Sequence, residues 1–172
     1  MRFDGSWPDF DERSTRAFWK LVVMSASSAA GSGFFENYLP HLLTLAAVAA
    51  SRAFDEELRE RGVSLPVWRV MAVLLERPGE TVTGLAKRCL LQQPTMTKLL
   101  DRMERDRVVQ RSPDRQDHRI VRLSLTTEGA ALAATLVEAA KHHEAALLAR
   151  HPQAATIKEG LRSIAAEQGR PK

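Results

Sequence analysis

The chain has 172 residues, a net charge of +4 and one cysteine, Cys89. Its length predicts one domain with a small appendage, and its 44% hydrophobic and 27% charged residues are typical of a soluble globular protein rather than a membrane-embedded or disordered one. A single cysteine excludes a disulfide within the chain, which agrees with a reducing compartment and predicts a cytoplasmic protein.

Residues 1–33 form an N-terminal extension rich in acidic, aromatic and small residues. We expect a short helix over about residues 14–25 and a break at residues 31–33, Gly-Ser-Gly. The apolar run at residues 21–30 is similar to a signal-peptide core, but it is short and follows four acidic residues, so we do not interpret it as an export signal. The extension could serve as a dimer contact, a pocket lid or a tail.

Three helices are predicted next. Residues 36–61 carry a broad apolar stripe and end before Gly62. A second helix covers residues 65–76, with Ser64 as its cap and Pro66 in its first turn. The segment 81–83 either pairs weakly with a later strand or caps a third helix, residues 83–89. Cys89 lies in an apolar setting there, which predicts a buried thiol and not a redox sensor.

A fourth helix, residues 94–105, has the most informative pattern in the chain. Its apolar residues recur at i, i+3, i+4 and i+7, which predicts one buried face. The opposite face is polar and basic and could lie in a DNA major groove, although such a face alone is more often merely solvated. From this helix and its start we predict DNA contacts by Gln92, Gln93, Thr95, Thr97, Lys98 and Arg102.

Two short β-branched strands follow, residues 108–111 and 120–125, on either side of a charged, turn-rich tip. A helix–turn–helix followed by such a hairpin predicts a winged helix, with Arg111, Arg115 and Arg119 pointing outward to phosphates or the minor groove. Residues 87–122 hold ten Lys/Arg and five Asp/Glu, a net charge of +5, whereas the rest of the chain sums to −1. This concentration of positive charge is typical of a DNA-binding protein.

Two more helices are predicted after the wing, from residue 126 to about 150 and over residues 154–166. A domain this small cannot bury all the apolar residues of its terminal helices, which predicts a two-fold homodimer. A two-fold protein places two recognition helices roughly 34 Å apart and predicts a palindromic operator on double-stranded DNA.

Specific motifs support this interpretation. The run D-R-x-D-x-R at residues 114–119, followed by L-T-x-x-G at residues 125–129, resembles the signature of the MarR family of bacterial winged-helix transcription regulators. T-x-T-x-x-x-D-R-M-E at residues 95–104 resembles the recognition helix of that family. The resemblance covers roughly residues 36–168. It departs from the family at Gln116, where many members have Arg, and at Asp106-Arg107, where many have Gly before the wing strand.

The resemblance implies a mainly α fold with a small β-wing. Residues 63–125 would form the winged helix-turn-helix DNA-binding lobe, and residues 34–62 and 126–172 the dimerisation helices. In the family an Asp of the wing motif braces wing arginines by ion pairing. We therefore expect Asp114 and Asp117 to brace the wing, with Asp117 making the ion pair, and Arg115 to face DNA.

The resemblance also implies an effector. Small aromatic acids, phenols or their thioesters often bind such regulators between the dimerisation helices and the DNA-binding lobe, and their binding would shift the lobes and release DNA. The candidate lining residues are Tyr38, His41, Leu42, Trp68 and Met71. The imidazole of His41 could bond a carboxylate, whereas Trp68 and Met71 also fit as core residues.

Other classes of function have less support. His142-His143-Glu144 lacks the second histidine of H-E-x-x-H, because Leu147 stands in that position. The sequence has no catalytic set and no nucleotide-binding loop, so we predict no enzyme activity, no cofactor, no metal site and no membrane partner. The alternative to a ligand-responsive repressor is a winged-helix interaction or architectural module without an effector.

Overall fold

The computed structural model describes residues 33–167. In chain order its elements are α1 (Leu39–Glu60), α2 (Leu65–Glu76), α3 (Val82–Cys89), α4 (Gln93–Arg105), β1 (Val109–Pro113), β2 (Val121–Leu125), α5 (Thr127–Arg150) and α6 (Ala154–Glu167). The helix predicted over residues 14–25 lies outside the described residues. The mainly α fold with a small β-wing is confirmed. The described residues divide into two units, with the boundary between Arg52 and Ala53.

In the first unit, a turn at residues 34–37 precedes α1. The side-chain amide of Asn37 donates to the Gly33 carbonyl oxygen (3.0 Å), and the Gly33 N–H donates to the Glu36 carboxylate (3.0 Å). Because these bonds hold a turn, the helix starts at Leu39 and not at residue 36 as predicted. Several large apolar side chains of this unit are exposed in the single chain: Phe34, Phe35, Tyr38, Leu39 and Leu42.

The second unit contains the hydrophobic core, to which α1 contributes Phe54 and Leu58. The predicted apolar face of α4 is confirmed, since Met96, Leu100 and Met103 are buried. The prediction that the cysteine thiol is buried is also confirmed. Cys89 is 1% exposed, and its burial raises the pKa of the thiol. Burial and a raised pKa both lower thiol reactivity.

The wing is a two-stranded antiparallel sheet in which Val109 lies opposite Leu125 and Pro113 opposite Val121. The segment before α3 adds to it, because the Leu123 N–H donates to the Glu80 carbonyl oxygen (2.9 Å). The next residue, Thr81, caps α3 by accepting the Gly84 N–H (3.1 Å). Of the two alternatives for residues 81–83, the structure shows the helix cap, made by Thr81, whereas the pairing with the wing is made one residue earlier, by Glu80.

The turn between α4 and the wing lacks the glycine common in the resembling family, and Arg107 occupies it in the left-handed conformation (φ 56°). The Arg107 and Val108 N–H groups donate to the carbonyl oxygens of Glu104 (3.0 Å) and Met103 (2.9 Å), which closes the helix end. A non-glycine residue therefore occupies a position with positive φ at this helix end. The left-handed region costs an L residue roughly 1–2 kcal/mol.

The L-T-x-x-G motif sets α5 against the start of the wing. Thr126 caps α5 by accepting the Gly129 N–H (3.0 Å), and its own N–H donates to the Val108 carbonyl oxygen (3.1 Å). A Cβ atom at Gly129 would lie 2.0 Å from that same oxygen. The approach of α5 to the wing therefore requires glycine at this position.

Candidate nucleic-acid interface

The polar face of α4 is open to solvent. All six residues predicted there to contact DNA are exposed: Gln92, Gln93, Thr95, Thr97, Lys98 and Arg102. The Gln93 side-chain amide donates to the Thr83 hydroxyl (3.3 Å), which ties the first turn of α4 to the exposed side of α3. The Thr97 hydroxyl donates to the Gln93 carbonyl oxygen (3.0 Å). Five of the six residues therefore lie on the solvent-exposed side of α4, and Gln92 directly precedes the helix.

Two cations of this face are available for an external anion. Lys98 forms no ion pair with any residue in the range 33–167. Arg102 lies 3.8 Å from the Asp106 carboxylate, a long contact between two well-exposed side chains. Such an exposed pair contributes little, so a phosphate or base could replace the carboxylate at little cost.

Arg111 does not point outward as predicted. Its guanidinium donates to the carboxylates of Asp101 (2.6 Å) and Glu104 (2.8 Å), both on α4, and its side chain is 30% exposed. The guanidinium bridges the two carboxylates, with one terminal nitrogen donating to each. Arg111 therefore fastens β1 to the recognition helix.

The wing tip is organised by Asp114. One carboxylate oxygen accepts the N–H groups of Gln116 (2.8 Å) and Asp117 (3.0 Å), and the other accepts from Arg122 (2.7 Å). These backbone hydrogen bonds, together with the Arg122 guanidinium, lower the pKa of Asp114 to about 2. The guanidinium of Arg122 also donates to the Gly79 carbonyl oxygen (3.1 Å), which ties the tip to the turn after α2.

The ion pair expected of Asp117 is made by Asp114 instead. The Asp117 carboxylate accepts the backbone N–H of Arg119 (3.0 Å), and no cationic side chain of the described wing pairs with it. The bracing arginine, Arg122, was missed by the sequence analysis. The sequence feature that could have identified Arg122 is its position on the second predicted strand, where it alternates with the apolar Leu123, which is buried.

The two remaining wing arginines, Arg115 and Arg119, are exposed at the tip. Neither is ion-paired within the described part of the chain. Arg119 also lines an open groove of about 380 Å³ between the start of α3 and β2, with Thr81, Thr83 and Val121. The tip thus presents two free cations on an internally braced loop.

The N-terminus of α3 is already paired with a carboxylate of the chain itself, that of Glu80. The Glu80 carboxylate accepts the Thr81 N–H (3.1 Å) and the Arg88 guanidinium N–H (3.0 Å), and these bonds lower its pKa. The positive end of the helix and Arg88 are thereby neutralised. Lys98 on α4 and Arg115 and Arg119 at the wing tip have no such carboxylate partner among residues 33–167.

The candidate effector-binding residues occur in both units. In the first, Tyr38 and Leu42 are exposed, and the His41 ring lies 4.2 Å from the Phe35 ring. In the second, Trp68 meets Phe54 edge-on (5.4 Å between ring centroids). Met71 is fully buried, as its alternative interpretation as a core residue requires.

The histidines of α5 have structural contacts. His142 Nδ1 lies 2.8 Å from the Glu138 carbonyl oxygen, and the His143 ring packs against Phe54 (5.6 Å between centroids). Over residues 33–167, no three metal-binding side chains come together. In the same range, every helix is too short or too polar to cross a membrane.

Comparison with known proteins identifies relatives of the whole fold. A model of the MarR family matches residues 61–120. The crystal structure of a MarR family transcriptional regulator from Silicibacter pomeroyi DSS-3 is 36% identical, with a TM-score of 0.73, and the match covers 80% of this chain and 99% of that one.

Two further relatives match in part. The homoprotocatechuate degradative operon repressor of Escherichia coli is 35% identical over 94 residues, which cover 52% of this chain and 64% of the repressor. The HTH-type transcriptional regulator TtmR of Methylorubrum extorquens (strain PA1) is 33% identical over 110 residues, which cover 64% of this chain and 56% of that protein. The chain thus spans less than two thirds of the length of either protein. With the winged helix and a family structure matched over nearly its full length, the chain belongs to the MarR family of transcriptional regulators.

Proposed function

We propose that this regulator is a homodimeric repressor that binds a palindromic DNA operator and releases it when a small aromatic or carboxylate-type effector binds. The main support is the placement of free cations. Lys98 on α4 and Arg115 and Arg119 at the wing tip lack ion-pair partners within residues 33–167. Arg88, Arg111 and Arg122 are instead held by carboxylates of the chain itself. Such cations suit phosphate oxygens, and the neighbouring Gln and Thr side chains suit base edges.

In this proposal α4 lies in the major groove and the wing follows the DNA backbone. Gln92 and Gln93 stand at the start of α4, where helix-turn-helix proteins usually contact base edges. Arg102 lies in the third turn of the helix and is suited to a phosphate. Arg111 acts through α4, which it holds in place, and not through direct contact with DNA.

Homodimerisation is supported by apolar surface. Ile157, Leu161 and Ile164 are exposed at helical spacing along α6 (54%, 41% and 48%). The first unit separately exposes five large apolar side chains at residues 34–42. Exposed apolar patches of this kind mark protein interfaces, and a second copy of the chain is the simplest partner for a regulator that reads a two-fold site.

An aromatic acid is the effector class with the most support. The E. coli relative is the repressor of an operon that degrades homoprotocatechuate, an aromatic acid. In this chain Tyr38 offers an aromatic ring and His41 an imidazole that can bond a carboxylate. A thermal-shift screen of aromatic acids, phenols and thioesters tests this part. A screen without any shift would favour the module without an effector.

The test of DNA binding is fluorescence anisotropy on DNA from immediately upstream of the gene, measured across a salt series. We expect two chains per site and a steep salt dependence, since each neutralised phosphate adds roughly 0.9 to the slope of log K against log salt. Arg115→Ala and Arg102→Ala should each weaken binding. Arg150→Ala, an exposed arginine at the end of α5, is the matched control and should leave it unchanged.

Binding no tighter than to random DNA would exclude regulation of the protein's own gene. Selection of binding sites from genomic fragments then decides the wider proposal. If the folded protein enriches no fragment, it is not a sequence-specific repressor.

A further inference from the structure

Leu90, in the turn between α3 and α4, is 83% exposed, more than any other large apolar side chain among residues 33–167. It follows a helix whose own apolar residues, Leu85, Ala86 and Cys89, are buried. Nothing among residues 33–167 covers Leu90, so its side chain contributes almost nothing to the core.

The backbone of Leu90 is also unfavourable. Its φ and ψ are 57° and 41°, in the left-handed region. Two other turns of the second unit place glycines at positive φ, Gly62 (72°) and Gly79 (85°). A leucine in this conformation is strained, and glycine would avoid that strain. Strain of this kind that packing does not offset is typical of functional positions.

The position of Leu90 next to the recognition helix indicates a role in DNA binding. It lies three residues before Gln93, so it is close to the first turn of α4. Thr83, Lys87 and Leu90 follow one another at i, i+4 and i+7 on α3 and its cap, and Thr83 accepts the hydrogen bond from the Gln93 amide. An exposed apolar group thus lies beside the polar end of the recognition helix.

We propose that Leu90 is a specificity-determining residue that contacts the C5-methyl group of a thymine in each half of the operator. This methyl group is the apolar feature of the major groove, and an exposed leucine beside the bases can bury it. Lys87, which is also exposed, is suited to hold the adjacent phosphate. The inference depends on the proposed DNA-binding function, and it names thymine as the base that the turn between α3 and α4 contacts.

The test replaces each thymine of a bound operator in turn by uracil, which removes only the methyl group. Anisotropy titrations of the wild-type protein should show one position per half-site at which uracil weakens binding about fourfold, the value of one buried methyl group. Leu90→Gly should bind the thymine operator more weakly and should show no loss at that position.

Melting temperatures of the variants show whether weaker DNA binding comes from a lost contact or from a less stable fold. Leu90→Gly relieves the left-handed strain and should melt about 1–3 °C above wild type, so weaker binding cannot result from unfolding. Arg107→Gly is the matched control, because it relieves the other left-handed residue and should keep the wild-type uracil pattern.

Two results would overturn the inference while the DNA-binding function stands. One is a wild-type protein that binds its operator without any loss on uracil substitution. The other is Leu90→Gly with the wild-type uracil pattern. A wild-type protein that binds no DNA would overturn both proposals.

Discussion

Replacement of Arg111 distinguishes two ways in which a wing arginine can support DNA binding. Arg111 joins β1 to the carboxylates of Asp101 and Glu104 on α4. Arg111→Ala breaks two partly exposed ion pairs, each of which contributes about 0.2–1 kcal/mol, so the lobe should remain folded. It also leaves two unpaired carboxylates on the helix that we place against DNA. We therefore expect operator binding to weaken about tenfold, which corresponds to about 1.4 kcal/mol.

The salt dependence of binding identifies the cause of this loss. Removal of a phosphate contact lowers the slope of log K against log salt by roughly 0.9, as expected for Arg115→Ala. Arg111→Ala should leave the slope nearly unchanged, because Arg111 is turned toward α4. Arg111→Lys keeps the charge but cannot bridge both carboxylates as the guanidinium does, so its affinity for the operator should be closer to that of Arg111→Ala than to wild type.

The opposite pattern would refute this reasoning. If Arg111→Ala lowers the slope by about 0.9 and Arg111→Lys binds like wild type, then Arg111 contacts phosphate and its ion pairs with α4 are not what DNA binding requires. Circular dichroism of both variants checks that the helices remain folded.

Three further predictions concern stability. Arg107→Gly should raise the Tm by about 1–3 °C in calorimetry, whereas Arg107→Ala should not; equal shifts would argue against backbone strain. Gly129→Ala, whose Cβ meets the Val108 carbonyl oxygen, should lower the free energy of unfolding in urea by about 1–3 kcal/mol, and Gly160→Ala, with open space around it, should not. Burial raises the pKa of Asp55, whose Oδ1 has no hydrogen-bond partner among the described residues. Because its pKa is raised in the folded state, this carboxyl group makes its full contribution to stability below its unfolded pKa, near 3.8, where it is protonated. That contribution is lost as the pH rises through the folded pKa and the buried group has to ionise. Asp55→Asn should therefore melt about 1–2 °C above wild type at pH 7.5 and lose this advantage near pH 4.

The parts of the fold that follow from local periodicity were predictable from the sequence. The buried face of α4 is one example, because Met96, Leu100 and Met103 recur at helical spacing whatever surrounds them. The second helix was predicted with its observed bounds, because Ser64 and Pro66 mark a start that needs no tertiary contact. Ser64 stands at the N-cap position, although its side chain makes no cap hydrogen bond.

Side-chain pairing in the wing was not predictable in the same way. Asp114 and Asp117 are both carboxylates in one tight turn, and the backbone of the turn decides which of them faces Arg122. The direction of Arg111 depends on carboxylates seven and ten residues away on another element. Spacing along the chain carries no information about such contacts, and the same holds for the strain at Leu90.

The anchoring of the wing has a consequence for the energetics of recognition. Asp114 fixes the loop through two backbone hydrogen bonds, and Arg122 connects that carboxylate to the turn after α2. The tip is therefore preorganised. A flexible loop would lose conformational entropy each time it met DNA, whereas here that entropy is lost once, when the chain folds. Asp114→Ala should leave the lobe folded, with Arg115 and Arg119 still present, but weaken binding through a tip that has to be ordered on the DNA.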